Sequence, residues 1–287
     1  MIKRFCLTLI APILTSMFMD GLQAQTSGNN SKKVYLDNTE QFSVTSDFVR
    51  GENYSIQVGL PADYSGSKKS YPVLYVLDGD KSFGMTKEIK DWLVWSNEIR
   101  DVIVVGISYG QGTATWWEKR ARDYTQYMDT VYYYYPNAGG AGNFLKFIRN
   151  ELFPLINNKY RTIQDSTAIM GISFGGLLCS YALFAQPDLF KSYIIISPSL
   201  FWNDNSILKT EAEYFGKHKD LDKTVYMAYG SLDSKDWTIN PSNELIQNIQ
   251  AHNYADFKFT SEIFEGETHI SVYPIALTHG LKDVFKR

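Results

Sequence analysis

The sequence predicts an α/β fold: a mostly parallel central sheet with helices on both faces, entered through an antiparallel N-terminal β segment. Three observations carry this. Near-continuous Val/Ile-rich runs recur at 73–77, 102–107, 167–171, 193–196, 225–229 and 257–264, as strands buried on both faces do. Stretches of helical period lie between them. The 287 residues also suffice for one α/β domain around a single large core.

The chain opens with basic MIKRF, a short apolar run CLTLIAPILTSMF and LQA before Gln25. This pattern reads as a secretory signal, 1–24, cleaved after Ala24. The run falls short of the roughly 20 apolar residues of a membrane span, and polar QTSGNNSKK follows at once. Cys6 has no lipobox-like small residues before it, which argues against a lipid anchor. Residues 25–32 read as a disordered linker and 33–287 as one domain. The expected mature chain is therefore exported, periplasmic or secreted, without a membrane span. Removing 1–24 takes away Lys3, Arg4 and Asp20, leaving 26 basic and 30 acidic side chains and a net charge of −4. That balance gives no reason to expect nucleic acid as a partner. Cys179 alone remains, in an apolar helical stretch, and reads as a buried structural thiol with no disulfide partner. The oligomeric state has no signature in the sequence.

Within the domain, 34–36, 42–44 and 54–60 alternate or cluster apolar residues as strands do, the last ending at Pro61. The clearest helix is 143–156, whose Phe144, Phe147, Ile148, Leu152, Leu155 and Ile156 form one face. Helices also fit 85–95, 176–185, 242–251 and 272–285. There is no internal repeat or heptad pattern. A parallel sheet places its ligand crevice at the carboxyl ends of its strands, so the residues just after each run matter most.

Two of those positions carry nearly the same pentapeptide, GISYG at 106–110 and GISFG at 171–175. Each fits G-x-S-x-G, in which a serine nucleophile sits on a sharp turn between a strand and a helix. After GISYG comes QGTATWW, which has no helical period and reads as a loop. After GISFG comes GLLCSYALFA, an apolar helix ending before Pro187. Ser173 is therefore the candidate nucleophile, and Ser108 reads as part of a glycine-rich turn.

A serine hydroxyl needs a base to take its proton, and histidine suits that task near neutrality. Of four histidines, His218 lies in charged GKHKD, His252 at a helix end and His279 within the last helix. His269, in EGETHISV, directly follows the last strand-like run, where the third member of a Ser, acid, His order belongs. The acid belongs in the loop after the preceding strand, where SLDSKDW offers Asp233 and Asp236. Asp233 is nearer the strand end and is the first choice; either aspartate also suits a simple turn.

In order, YPVLYVLDGD, VVGISYG, ARDYT, NFLKFIRNELFPLI, GISFGGL, SPSLFW and GETHISVYPIAL resemble the "putative esterase" family of α/β-hydrolases. That family includes S-formylglutathione hydrolases, feruloyl and acetyl-xylan esterases, trilactone-siderophore esterases and mycolyltransferases. The sequence is most similar to the periplasmic siderophore-esterase branch. The resemblance covers 54 to the end and implies an α/β-hydrolase fold, with Ser173 as nucleophile and His269 as base. It also implies an oxyanion hole from the backbone N–H groups of Phe174 and Asp80. A charged residue at Asp80 departs from the family, so its carboxylate must point away from the oxyanion. Ser108 and Tyr109 then fall beside the site as pocket-wall candidates. In ARDYT, Gln126 replaces the family's following proline, and Arg122 with Asp123 is expected to fix the segment by pairing.

The region 111–142 carries Trp116, Trp117, Tyr124 and the run Tyr132 to Tyr135, and Phe201 and Trp202 follow another strand. Such aromatics suit stacking on a sugar, ferulate or catechol ring, with Trp202 a substrate-binding candidate. They equally suit a loop packed on itself. Lys119, Arg120 and Arg122 offer attraction for an anionic ferric catecholate. The sequence has no His/Cys/Asp cluster with metal-ligand spacing and no phosphate-binding loop, so no metal or cofactor is expected. The expected activity is a serine carboxylic-ester hydrolase acting on a small-molecule or carbohydrate-linked ester with a short-acyl, aryl or siderophore group. Acyl transfer to an alcohol, or non-catalytic binding on the same fold, are the competing readings.

Overall fold

The computed structural model describes residues 33–110, 115–128 and 135–287. The expected signal 1–24 and linker 25–32 lie outside the described residues. Residues 36–287 form one compact unit, and no described helix is long and apolar enough to cross a membrane.

Eight strands form one sheet in the order β1-β2-β4-β3-β5-β6-β7-β8. They are β1 (Thr39–Thr45), β2 (Asn53–Gly59), β3 (Tyr71–Val76), β4 (Ile103–Ser108), β5 (Thr162–Ile172), β6 (Ser192–Ile196), β7 (Thr224–Gly230) and β8 (Lys258–Phe264). β1 to β2 and β2 to β4 pair antiparallel, and every other neighbouring pair is parallel. The α/β expectation and the antiparallel entry both hold. Residues 34–36 do not form the expected strand, because Asn38 at φ 54° turns the chain and β1 begins only at Thr39.

The central strands split their side chains between two cores, as the two-residue period requires. Val73, Tyr75, Ile103, Val105, Ile169, Tyr193 and Ile195 face one, while Leu74, Val76, Val104, Met170, Ile194 and Ile196 face the other. Helices α1 (Gly79–Trp95) and α8 (Tyr273–Val284) cover the second. The first is covered by α3 (Ala141–Phe147), α4 (Phe153–Lys159), α5 (Phe174–Ala185), α6 (Trp202–Lys217) and α7 (Asn240–His252). The single helix expected at 143–156 is α3 joined to α4 through one π-turn, Ile148–Leu152, where Phe153 N donates to Ile148 O. Pro154 follows directly and has no N–H for an α-helical bond, so the wider turn sits at the proline.

Two helices escaped the sequence reading for the same physical reason: a charged residue stands where an apolar stripe would reveal them. In α2 (Trp116–Tyr124) the buried positions include Arg120 and Asp123. In α6 the buried Glu211 accepts from Tyr254 Oη at 2.6 Å and pairs with His252 Nδ1 at 2.6 Å. The start of α6 is masked further by Asn203, Asp204 and Asn205, all in left-handed conformation.

Candidate functional site

Strand β5 delivers Ser173 to a turn with φ 61° and ψ −120°, and α5 starts at the next residue. A non-glycine residue is held there only when its surroundings fix it, at a cost of about 1–3 kcal/mol. The fixing contacts are backbone ones. Ser173 N donates to Ile196 O at 3.1 Å, and Ser173 O accepts from Ser199 N at 3.1 Å and Leu177 N at 2.9 Å. Gly171 is required by close approach: a Cβ there would stand 2.4 Å from the backbone C and O of Gly175. Gly176 similarly lies against Pro198, where a Cβ would come within 2.9 Å. The turn leaves Ser173 half-buried, and its Oγ lies 3.1 Å from Ser199 Oγ.

His269 is carried by the connection from β8 to α8. Thr268 N donates to Ser271 Oγ at 2.9 Å and Ser271 N to Thr268 Oγ1 at 3.3 Å, which closes that connection into a compact turn. The loop after β7 supplies Asp233, whose Oδ2 and Oδ1 lie 3.0 and 3.1 Å from His269 Nδ1. Of the two aspartates open in SLDSKDW, Asp233 is therefore the one that meets the imidazole; Asp236 is exposed. Burial pushes the Asp233 carboxyl upward. The hydrogen bond and charge of His269, the Ser234 N–H and the Ser197 hydroxyl outweigh it, so the group sits below the usual carboxylate range. With Nδ1 committed to Asp233, Nε2 is the ring nitrogen left for proton transfer. The other histidines are engaged elsewhere: His252 with Glu211, His279 with Glu262 at 2.8 Å, and His218 stacked on Tyr214.

Ser173, His269 and Asp233 line one cavity of about 500 Å³. Its apolar wall comes from Trp117, Phe174, Phe201, Leu232 and Trp237. Phe201 and Trp237 stack with centroids 5.4 Å apart. Leu232, Trp237 and Ser199 escaped the sequence reading, although SLDSKDW and SPSLFW both follow strands at the crevice end of the sheet, which is the signal that finds them.

Three expected wall residues instead stand behind the lining. Ser108 is fully buried, and its hydroxyl donates to Gln57 Oε1 at 2.8 Å. Tyr109 is buried with its hydroxyl on Asp123 Oδ2 at 3.0 Å. Trp202 is fully buried, donates Nε1–H to Tyr127 O at 2.7 Å and supports Phe174 edge-on at 5.0 Å. Each spends its polar group inside the fold, leaving nothing to offer a ligand. Of the two implied oxyanion donors, Phe174 is on the lining and Asp80 is not. The Asp80 carboxylate accepts from Tyr109 N at 2.9 Å, which turns it to the end of β4.

The basic residues of α2 are likewise committed. Lys119 pairs with Glu52 at 2.6 Å, and Arg122 binds Glu52 and Asp123 at 2.9 and 2.6 Å. Arg120 makes a buried two-pronged pair with Asp78 at 2.6 and 2.8 Å. The Arg122 to Asp123 pairing expected from ARDYT is present, whereas the cationic patch expected of all three is neutralised. The Arg120 to Asp78 pair was not foreseen, and it ties α2 to the residue before α1. Among the aromatics, Trp117 and Tyr135 reach the cavity, Tyr124 is fully buried, and 132–134 lie outside the described residues. Among the described residues no group of three or more His, Cys, Asp or Glu is arranged to hold a metal ion.

A family model described as "Putative esterase" matches residues 49–281. The chain is 29% identical to the ferri-bacillibactin esterase BesA of Bacillus subtilis, over 90% of this chain and 93% of that protein. It is also 29% identical to the siderophore triacetylfusarinine C esterase of Aspergillus fumigatus, over 90% and 97%. Among solved structures, a BES protein from Bacillus cereus superposes with TM-score 0.79 at 29% identity, covering 90% of this chain and all of that one. An IroE-like serine hydrolase from Shewanella oneidensis superposes with TM-score 0.76 at 28% identity, covering 86% and 80%.

Proposed function

The chain belongs to the putative esterase family of α/β-hydrolases and is an esterase, and on that premise we propose that it cleaves aryl or siderophore-type esters through an acyl-enzyme on Ser173. The observation that carries the reading is the Asp233 carboxylate on His269 Nδ1 at 3.0 Å, beside a cavity that also holds Ser173 on its strained turn. Asp233 fixes the imidazole tautomer and stabilises its charged form; His269 Nε2 takes the Ser173 proton as Oγ attacks the ester carbonyl carbon. The carbonyl π pair moves to oxygen, where the N–H of Phe174, at a helix start without an intrahelical acceptor, receives the charge; the N–H of Asp80 at the start of α1 is the second donor that the family resemblance implies. Collapse breaks the bond to the alcohol, which leaves with the proton from His269. Water then repeats the sequence on the acyl-enzyme and releases the acid.

For substrate class, the support is the lining. The Phe201–Trp237 stack and Trp117 offer aromatic faces to an aryl ring, and a volume of about 500 Å³ accommodates one arm of a larger ester. Relatives named for siderophore esters agree with this. We further infer export with removal of 1–24, which N-terminal sequencing of the mature protein tests.

A panel of methyl ferulate, acetylated xylan, S-formylglutathione and a catecholate trilactone tests the substrate reading. Methyl ferulate and the trilactone are expected to be cleaved fastest. Turnover of the other two alone would overturn it.

A further inference from the structure

Ser199 is not part of the serine, histidine and acid set, yet its side chain is the hydrogen-bond partner of the nucleophile's oxygen. Its Oγ lies 3.1 Å from Ser173 Oγ, and its backbone N–H donates to Ser173 O at 3.1 Å. It is only 6% exposed, and what it exposes faces the cavity.

The segment that carries it is held at several points. Ser197 leaves β6 at φ 39° and donates N–H to Ala228 O at 2.7 Å. Pro198 packs against Gly176 where no Cβ fits, Leu200 N donates to Pro198 O at 3.0 Å, and Trp202 is anchored on Tyr127 O. Ser199 therefore faces the nucleophile from a fixed frame. Optimising packing does not require this arrangement, since an alanine would fill the same backbone position.

We propose that Ser199 is a further catalytic residue: its hydroxyl donates a hydrogen bond to Ser173 Oγ whenever that oxygen carries developing negative charge. The inference rests on the reading of Ser173 as nucleophile. A serine hydroxyl has one proton and two lone pairs. As the Ser173 proton moves to His269 Nε2, the oxygen becomes an acceptor only, and the Ser199 O–H, already at 3.1 Å, turns to donate. One Oγ lone pair then forms the bond to the carbonyl carbon. In the second half-reaction the acyl bond breaks, its electron pair returns to Ser173 Oγ, and His269 restores the proton. Ser199 donates again while that pair is localised. It keeps its own proton throughout and forms no covalent bond.

The test compares Ser199→Ala and Ser199→Thr with wild type and Ser173→Ala, using a p-nitrophenyl ester for turnover and a fluorophosphonate for the rate of Ser173 labelling. Loss of a donor to a developing charge is expected to lower kcat and the labelling rate about tenfold in Ser199→Ala, with KM within about twofold. Ser199→Thr keeps the hydroxyl and is expected to recover most of both rates. Wild-type rates in Ser199→Ala would overturn the proposal, and so would equal loss in both variants, because the hydroxyl would then not be what matters. Failure of the underlying reading looks different: full turnover in Ser173→Ala, whatever Ser199 does.

Discussion

GISYG and GISFG differ at one position out of five, and the fold uses them in opposite ways. In the first, Ser108 ends β4 in ordinary strand geometry, pairs with Ser55 across to β2 and points its hydroxyl into the fold onto Gln57. In the second, Ser173 leaves β5 at φ 61° with a helix starting at once, and it stands on the cavity wall. Glycines serve both, for different reasons. Gly106 makes room for Phe83 and Gln57 side chains, whereas Gly171 makes room for the backbone of Gly175. Side chains can shift, and the backbone of a helix start cannot. A G-x-S-x-G pattern thus specifies close packing around a serine; the helix that follows decides whether the serine is turned outward.

The sharpest break of this comparison is Ser173→Ala against Ser108→Ala. Ser173→Ala is expected to lower kcat by at least about ten-thousand-fold with an unchanged melting temperature. Next, Asp233→Asn should cost about a thousand- to ten-thousand-fold in kcat, because an amide no longer holds the imidazole tautomer that leaves Nε2 free. KM for the same ester should barely move in either variant. Ser108→Ala is expected to keep kcat within about threefold while losing about 1 kcal/mol of stability in denaturant unfolding, as Gln57 Oε1 loses its donor.

The two pentapeptides also mark what was legible in the sequence. The parallel strands and the Ser173 turn were readable because local pattern and final geometry agree: Val/Ile runs bury on both faces, and an apolar helix follows the serine directly. The position of His269 was readable from its place after the last strand. What could not be read is where a side chain points once its segment is placed. Ser108, Tyr109 and Trp202 lie at or after strand ends on the crevice side, yet each spends its polar group on a partner within the fold, Gln57 Oε1, Asp123 Oδ2 and Tyr127 O respectively. Lys119 and Arg120 read as free cations because Glu52 and Asp78 come to them only through the tertiary fold, which also brings Glu52 to Arg122. Asp123 is adjacent in the chain, and it is the one partner the sequence reading named.

The smallest expected effect concerns acid. The folded state holds the Asp233 carboxyl below its usual range, so its pairing stabilises the fold above the unfolded value of about 3.9 and is lost as pH falls through the lower folded value. Melting of Asp233→Asn should therefore trail wild type near pH 6, with the gap closing below about pH 4. A gap that stays constant would assign the stabilisation to shape rather than to charge.

The most direct measurement is mass-spectrometric mapping of a fluorophosphonate adduct. A single adduct is expected on the peptide containing Ser173, present in Ser108→Ala and absent in Ser173→Ala. An adduct on the Ser108 peptide, or labelling that survives in Ser173→Ala, would contradict the account.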